Sequence, residues 1–537
     1  MRKGIWIKVL LVLVAAVALL PVLALFGKAT EAFDLPFWQH LTGTILPYYI
    51  LNTILLMIGT GFLSLFFGLP CAWCVAHYNF PGKQLFQWLL LLPLAFSSYI
   101  MGMIYKDLLS FSGPFQTLFR GIFGWTSPSE YWFPECSSLP GLVFVLSLVL
   151  YPYVFFLART VFEHQANAYL EIGKSCGLGG WRLALRVILP IARPAIGAGL
   201  LLVSMETLSD FGAASLFGVH TISVGLYTLW FGFHKAIAAS QLSIAVIVFV
   251  FFTMKAKDLM RREPTGTIPI VRSTVFFPRR LRGFAALPPF AICSVPVILG
   301  FIAPIAALFV WIVQYFDQIP LEEFRSDLYY SLVVALSVAF ICILASMIVS
   351  VAQRRFKESR LVPIAVRALY SMYALPNMIL AIGVLILIGA LYSQTWVQWL
   401  ANSVAIVIIA HSLRFFALAF FPIRSQFQRI PERLDEAAAG FGIRGWRMFF
   451  KVHLPLVIRG AWVGGLLAFV DSLKELTMVL VLQPYNFQTL SLRVFSYANN
   501  ELVEQSALWA FCIVLVGALP ILILNDRLRI EAPTKGD

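Results

Sequence analysis

Four carboxylates stand where a carboxylate is costly. Glu206 and Asp210 lie in METLSDFG and Asp471 and Glu475 lie in DSLKEL, each stretch closing a long apolar run, with Lys474 inside the second. An ionisable side chain within a membrane span is expensive to hold and is a functional candidate by default. On a continuous helix Glu206 and Asp210, four residues apart, share one face, and Lys474 can pair with Asp471 one turn earlier. Two roles fit these residues. They can line or gate a path for a cationic substrate, or they can form a buried ion network that pins parts of the bundle together.

Other chemistry is poorly supported. Cys71 and Cys74 have C-x-x-C spacing within an apolar run, but zinc needs two further ligands and none is evident nearby. Cys136 is the only cysteine expected in an outer loop, so the seven cysteines read as packing residues. The segment AYLEIGKS, 168–175, ends like a phosphate loop but has Ala168 where a glycine is required and no preceding strand. No nucleophile–base arrangement emerges, so no catalytic residue, no tight metal site and no cofactor within this chain are expected.

Long apolar elements must position these groups. Of 537 residues, 60% are hydrophobic and 12% charged, against roughly 45–50% and about 25% in soluble domains; mean hydropathy is +0.85. Twelve stretches reach the length of a membrane span: near 5–26, 48–76, 86–110, 139–160, 194–216 and 240–256, then near 286–314, 328–352, 364–392, 399–421, 456–482 and 505–525. Lipid offers the backbone no hydrogen bonds, so each span is expected to be a helix. The first, with its long apolar run, reads as a retained span rather than a cleaved signal.

The net charge of +14 raises the possibility of nucleic acid, for which 255–282 is the candidate patch, but its placement argues otherwise. With the N-terminus inside, all but seven of the 40 Lys and Arg fall on the cytoplasmic side, in the opening residues, at Lys83 and in 159–193, 255–282, 354–367, 414–459 and the tail. That is the positive-inside pattern. The outer loop 315–327 carries Asp317, Glu322, Glu323 and Asp327 instead. Both termini are therefore expected in the cytoplasm.

The chain repeats itself. EIGKSCGLGGWRLALRVILP at 171–190 aligns without a gap on EAAAGFGIRGWRMFFKVHLP at 436–455, so that Glu171, Gly177, Trp181 and Pro190 match Glu436, Gly442, Trp446 and Pro455. The same offset carries Glu206 onto Asp471 and Asp210 onto Glu475. Both copies fall on the cytoplasmic side, so the halves are parallel repeats of six spans: 1–256, a basic linker 257–285, and 286–537. Each repeated loop reads as a short helix, a glycine turn, and a second amphipathic helix beginning at the tryptophan, with the proline where the next span starts. It can dock as a knob into a partner or merely anchor the bundle at the interface.

The spacing E-A-A-x3-G-x9-[IV]-x-L-P resembles the coupling-loop motif of binding-protein-dependent ABC importer permeases. The second copy matches at Glu436, Ala437, Ala438, Gly442, Val452, Leu454 and Pro455; the first has Ile172 and Gly173 for the two alanines. The resemblance covers nearly the whole chain. It implies an all-α, type I importer permease of the bacterial inner membrane, coupled through both loops to two copies of a cytoplasmic ATPase that binds ATP and Mg, and supplied by a periplasmic substrate-binding protein. METLSDFG followed by FGV, DSLKEL followed by Phe487, Thr489 and Leu490, and YPYVFFLAR at 151–159 resemble the fused permeases of ferric-iron importers. Thr477 and Met478 depart from that pattern, in which a proline is usual. Relatives carrying thiamine, polyamines or phosphonates share the plan. Ferric iron is a hard cation suited to carboxylate oxygens. A secondary transporter, also built of two six-span halves, is the main rival, and a membrane scaffold is a third class.

Overall fold

The computed structural model describes residues 5–164, 182, 186, 189–260, 279–356 and 359–529. Among these, ten helices are long and apolar enough to cross a membrane, and two bent pairs complete a set of twelve spans. The first half contains Ile5–Ala29, Leu46–His77, the pair Lys83–Ala95 and Ser98–Leu108, then Leu139–His164, Leu189–Ser209 and Ala236–Met260. The second contains Gly283–Gln318, Leu321–Arg355, the pair Leu361–Ala374 and Asn377–Leu391, then Ala405–Arg429, Trp446–Lys474 and Ala507–Arg529. All twelve coincide with the apolar runs, because a chain in lipid has little choice but to close its hydrogen bonds along itself.

Each half packs its core in the same way. Gly199 of the fifth span lies so close to the fourth that a Cβ would meet Val154 Cα at 3.1 Å, and 265 positions later Gly464 of the eleventh span meets Ala419 of the tenth at 2.8 Å. Small residues that let backbones approach are how helices associate where lipid removes the hydrophobic incentive.

The first span of each half lies against the other half. Leu11, Ala15 and Ala18 pack with Val349, Val362 and Val366, and Pro21 approaches Gly383 so closely that no side chain fits between them. Reciprocally, Tyr105 donates to the Leu299 carbonyl at 2.6 Å, and Phe96 meets Phe301 edge-on. A two-residue parallel pair joins Tyr78–Asn79 to Arg279–Arg280, tying the end of the linker to the first half.

Four spans are interrupted. The third bends by 94° and the ninth by 114°; Phe96 and Ser97 mark one break and Leu375 and Pro376 the other. The fifth stops at Ser209 and resumes as Gly212–Leu216, and the eleventh stops at Lys474 and resumes as Thr477–Leu482. The expectation of a continuous fifth span to residue 216 is thereby corrected. Asp210 and Glu475 sit in the gaps, outside helix, and Glu206 and Asp210 do not share a helical face.

Cys71, Cys74, Cys293 and Cys342 are buried, and Cys136 and Cys512 half-buried, all as free thiols; Cys176 lies outside the described residues.

Candidate functional site

The four breaks converge. Residues 94, 96–99, 206, 209–212, 373, 377, 471 and 474–477 line a cavity of about 130 Å³, with Tyr153 and Arg414 also in its wall. Irregular backbone at membrane depth is tolerated where it lines a cavity and its polar groups find partners. All five residues predicted for the pathway border this space: Glu206, Asp210, Asp471, Lys474 and Glu475.

The structure divides the acids into two pairs. Asp210 and Glu475 are buried and act on the backbone. Asp210 accepts from the Ala214 amide at 3.0 Å and from the Ser98 hydroxyl. Glu475 accepts from the Met478 amide at 2.9 Å, the Val479 amide at 3.3 Å and the Asn377 side chain at 3.1 Å. Each therefore caps the short helix that follows its break and ties it to the first residue of the helix after the bend in the third or ninth span. His411 Nε2 lies 3.3 Å from Glu475 and its Nδ1 2.9 Å from the Ser472 hydroxyl.

Glu206 and Asp471, one turn earlier, are half-buried and border the cavity. Glu206 accepts from the Tyr373 hydroxyl at 3.2 Å. Asp471 pairs with Lys474 at 2.7 Å, as its spacing predicts, and Lys474 also donates to the Leu94 carbonyl at 3.3 Å. Glu206–Tyr373 and Lys474–Leu94 each join the two halves.

Arg414 is the residue that sequence reasoning misplaced. The charge pattern groups it with the cytoplasmic positives of 414–459, yet it is buried within the tenth span and borders the cavity. Its guanidinium donates to the Tyr373 and Leu375 carbonyls and lies 4.8 Å over the Tyr373 ring. It thus satisfies the carbonyls that the bend in the ninth span leaves free. The signal was an arginine in an apolar run, IAHSLRFFALAF. Among the described residues, no three His, Cys, Asp or Glu are grouped to hold a metal ion.

The second site is the repeated loop. In the second copy a helix, Glu432–Gly440, is followed by Gly442 at φ 78° and Gly445 at φ 62°, ψ −128°. Trp446 then opens not a separate surface helix, as expected, but the eleventh span itself. A π-turn at Phe449–His453 precedes Pro455. The wider turn absorbs the hydrogen bond that proline cannot donate.

Glu436, Ala437, Gly442 and Trp446 are exposed, Ala438 is buried, and Phe441 is 87% exposed. Asp435, which sequence reasoning passed over, fixes the knob. It pairs with Arg354 of the eighth span at 2.6 Å and with His453 at 3.0 Å. Of the first copy, Pro190 falls in the first turn of the fifth span; Glu171, Gly177 and Trp181 lie outside the described residues.

A helical bundle of two similar halves, with a braced knob at one end and a charged cavity inside, has a counterpart among known families. Residues 64–261 and 351–529 match the model of the binding-protein-dependent transport system inner membrane component. The chain belongs to that family.

The family domain occurs twice, once in each half, which agrees with the 265-residue repeat. The chain is 21% identical over 534 residues to the Fe(3+)-transport system permease protein FbpB 2 of Haemophilus influenzae, covering 98% of each chain. It is 30% identical over 202 residues to the sulfate transport system permease protein CysW of Escherichia coli, covering 38% of this chain and 66% of that one. With CysT of the same organism it shares 26% over 203 residues. As a family member the protein is a multi-pass transport permease.

Proposed function

We propose that this permease is the membrane subunit of an ATP-driven importer that moves ferric iron from periplasm to cytoplasm by alternating access. The observation that carries the importer reading is the braced loop. Glu436, Phe441 and Trp446 are presented to solvent by a knob that Arg354 and His453 hold rigid. A solvated loop has no need of such bracing, whereas a lever does. Two copies of a cytoplasmic ATPase, carrying ATP and Mg, would take the knob at 429–455 and its counterpart at 164–190. Their closure would be transmitted to the fifth and eleventh spans, which end at the cavity. Both termini would lie in the cytoplasm, and ATP hydrolysis would belong to the partner.

Ferric iron is favoured by a relative that aligns end to end and by the four carboxylates around the cavity. Glu206 and Asp471 would meet the cargo, while Asp210 and Glu475 hold the breaks in shape. A periplasmic binding protein would deliver the cargo and set most of the specificity. The resemblance to sulfate permeases, together with Arg414 and Lys474 in the wall, makes an oxyanion the second reading. It is weaker because both cations are already engaged, Arg414 by carbonyls and Lys474 by Asp471.

Substituting Glu436 and Gly442 tests the lever. In vesicles holding the permease, its ATPase and the loaded binding protein, the variants should keep ATP hydrolysis unlinked to uptake. Unchanged linked uptake would refute the coupling role.

A further inference from the structure

Between the third and fourth spans, at the end of the bundle opposite the basic loops, stands a helix whose polarity is reversed. Pro114–Phe123 exposes Phe115, Leu118 and Ile122 by 51%, 67% and 69%. Their i, i+3, i+7 spacing makes one stripe. Of its three polar side chains Thr117 is exposed, while Gln116 and Arg120 turn back toward the protein. Gln116 is buried, donates to the Leu109 carbonyl at 2.8 Å and accepts from the Tyr131 hydroxyl. Arg120 folds back to the Phe111 carbonyl at 2.7 Å, with its guanidinium 3.9 Å over the Phe111 ring.

A helix in water buries its apolar stripe and shows its polar one. Here the outward medium must itself be apolar. We infer that Pro114–Phe123 is an interfacial helix whose Phe115–Leu118–Ile122 stripe is seated in the outer lipid leaflet. Three further observations name lipid as the occupant. No acidic residue occurs from 108 to 129, and the one base is tied inward, so the face lacks the charged groups that rim a protein-docking patch. Trp125 and Tyr131 stack beside the helix, 5.1 Å between ring centroids, as aromatic residues gather at the headgroup level. At the same end of the bundle the seventh span also turns Val313 and Phe316 outward.

The second half repeats the device. Between the ninth and tenth spans, Thr395–Ala401 buries Val397 and exposes Trp396 and Trp399 by 61% and 69%. An amphipathic segment lying in the interface binds through its buried apolar area. The pair would fix the depth of the bundle where the spans beside them are bent.

The test uses the full chain in vesicles of phosphatidylethanolamine and phosphatidylglycerol. Leu118→Cys carries an environment-sensitive fluorophore, with Ile122→Cys as its duplicate, Ser129→Cys as the water-exposed control, and labelled wild type as the baseline for native thiols. Emission at 118 and 122 should be blue-shifted, lost to doxyl-labelled lipid and retained with iodide; emission at 129 should be lost to iodide. Loss to iodide at both 118 and 122 would overturn the inference. Shielding of those positions by added binding protein would overturn it too, since the stripe would then be a protein-docking face.

Discussion

Arg354 Nε donates to Asp435 Oδ2 at 2.6 Å, and the same guanidinium donates to the carbonyls of Phe427, Ile430 and Pro431 at 3.1, 2.8 and 3.1 Å. One side chain thus joins the end of the eighth span, the end of the tenth and the loop helix. Arg354→Ala removes the donor that those carbonyls and the carboxylate share, leaving Asp435 with His453 alone, a local cost of about 1.5–3 kcal/mol. Amide exchange in 432–440 should accelerate roughly tenfold or more by that energy, with coupled uptake lost.

The same pair sets a pH dependence. Burial pushes the Asp435 carboxyl up, but hydrogen bonds from Arg354 and His453 outweigh it and hold the group below the ordinary carboxylate range. A lowered native value means that the brace is at full strength above about pH 4 and fades as pH falls through that value. Exchange in 432–440, corrected for intrinsic rates, should stay flat as far as the Asp435–Arg354 pair governs it, and rise only in acid. Asp435→Asn should be fast throughout.

The two turn glycines should not be equivalent. An added Cβ meets nothing within 4 Å at either, so the penalty is conformational. Gly442 at φ 78° is near the left-handed region, where Ala costs about 1 kcal/mol. Gly445, at φ 62° and ψ −128°, lies where only glycine is at ease, and Ala there costs about 1–3 kcal/mol. Gly445→Ala should therefore impair ATP-linked uptake more than Gly442→Ala, and Gly442→Asn least.

The acids should separate by assay. Glu206→Gln and Asp471→Asn should cut uptake several-fold while leaving thermal unfolding in detergent nearly unchanged. Asp210→Asn and Glu475→Gln should lower stability by about 1 kcal/mol each through weakened caps. The opposite pattern would assign the pathway to the wrong pair.

How much of this could be read from sequence follows from what each feature depends on. The spans, the repeat and the exposed loop are local: apolar runs force helices, and Glu436, Gly442 and Trp446 recur at a fixed offset. The breaks are not local in that sense. Leu-Ser-Asp-Phe and Leu-Lys-Glu-Leu read as the ends of helices only once Ala214 and Met478 are seen to donate to the acids. Asp435 looks like one more charge on a loop until the eighth span brings Arg354 to it, 81 positions earlier. Arg414 opens a basic stretch that reads as a cytoplasmic loop, although its apolar neighbours mark it as buried.

Uptake of labelled ferric iron tests the central claim most directly. The permease would be reconstituted in vesicles with its ATPase and the iron-loaded binding protein, with ATP enclosed on the ATPase side. Accumulation should require all three components together with hydrolysable ATP. Accumulation of iron without ATP or without the binding protein would contradict the importer, and ATP-driven uptake of sulfate with none of iron would contradict the cargo.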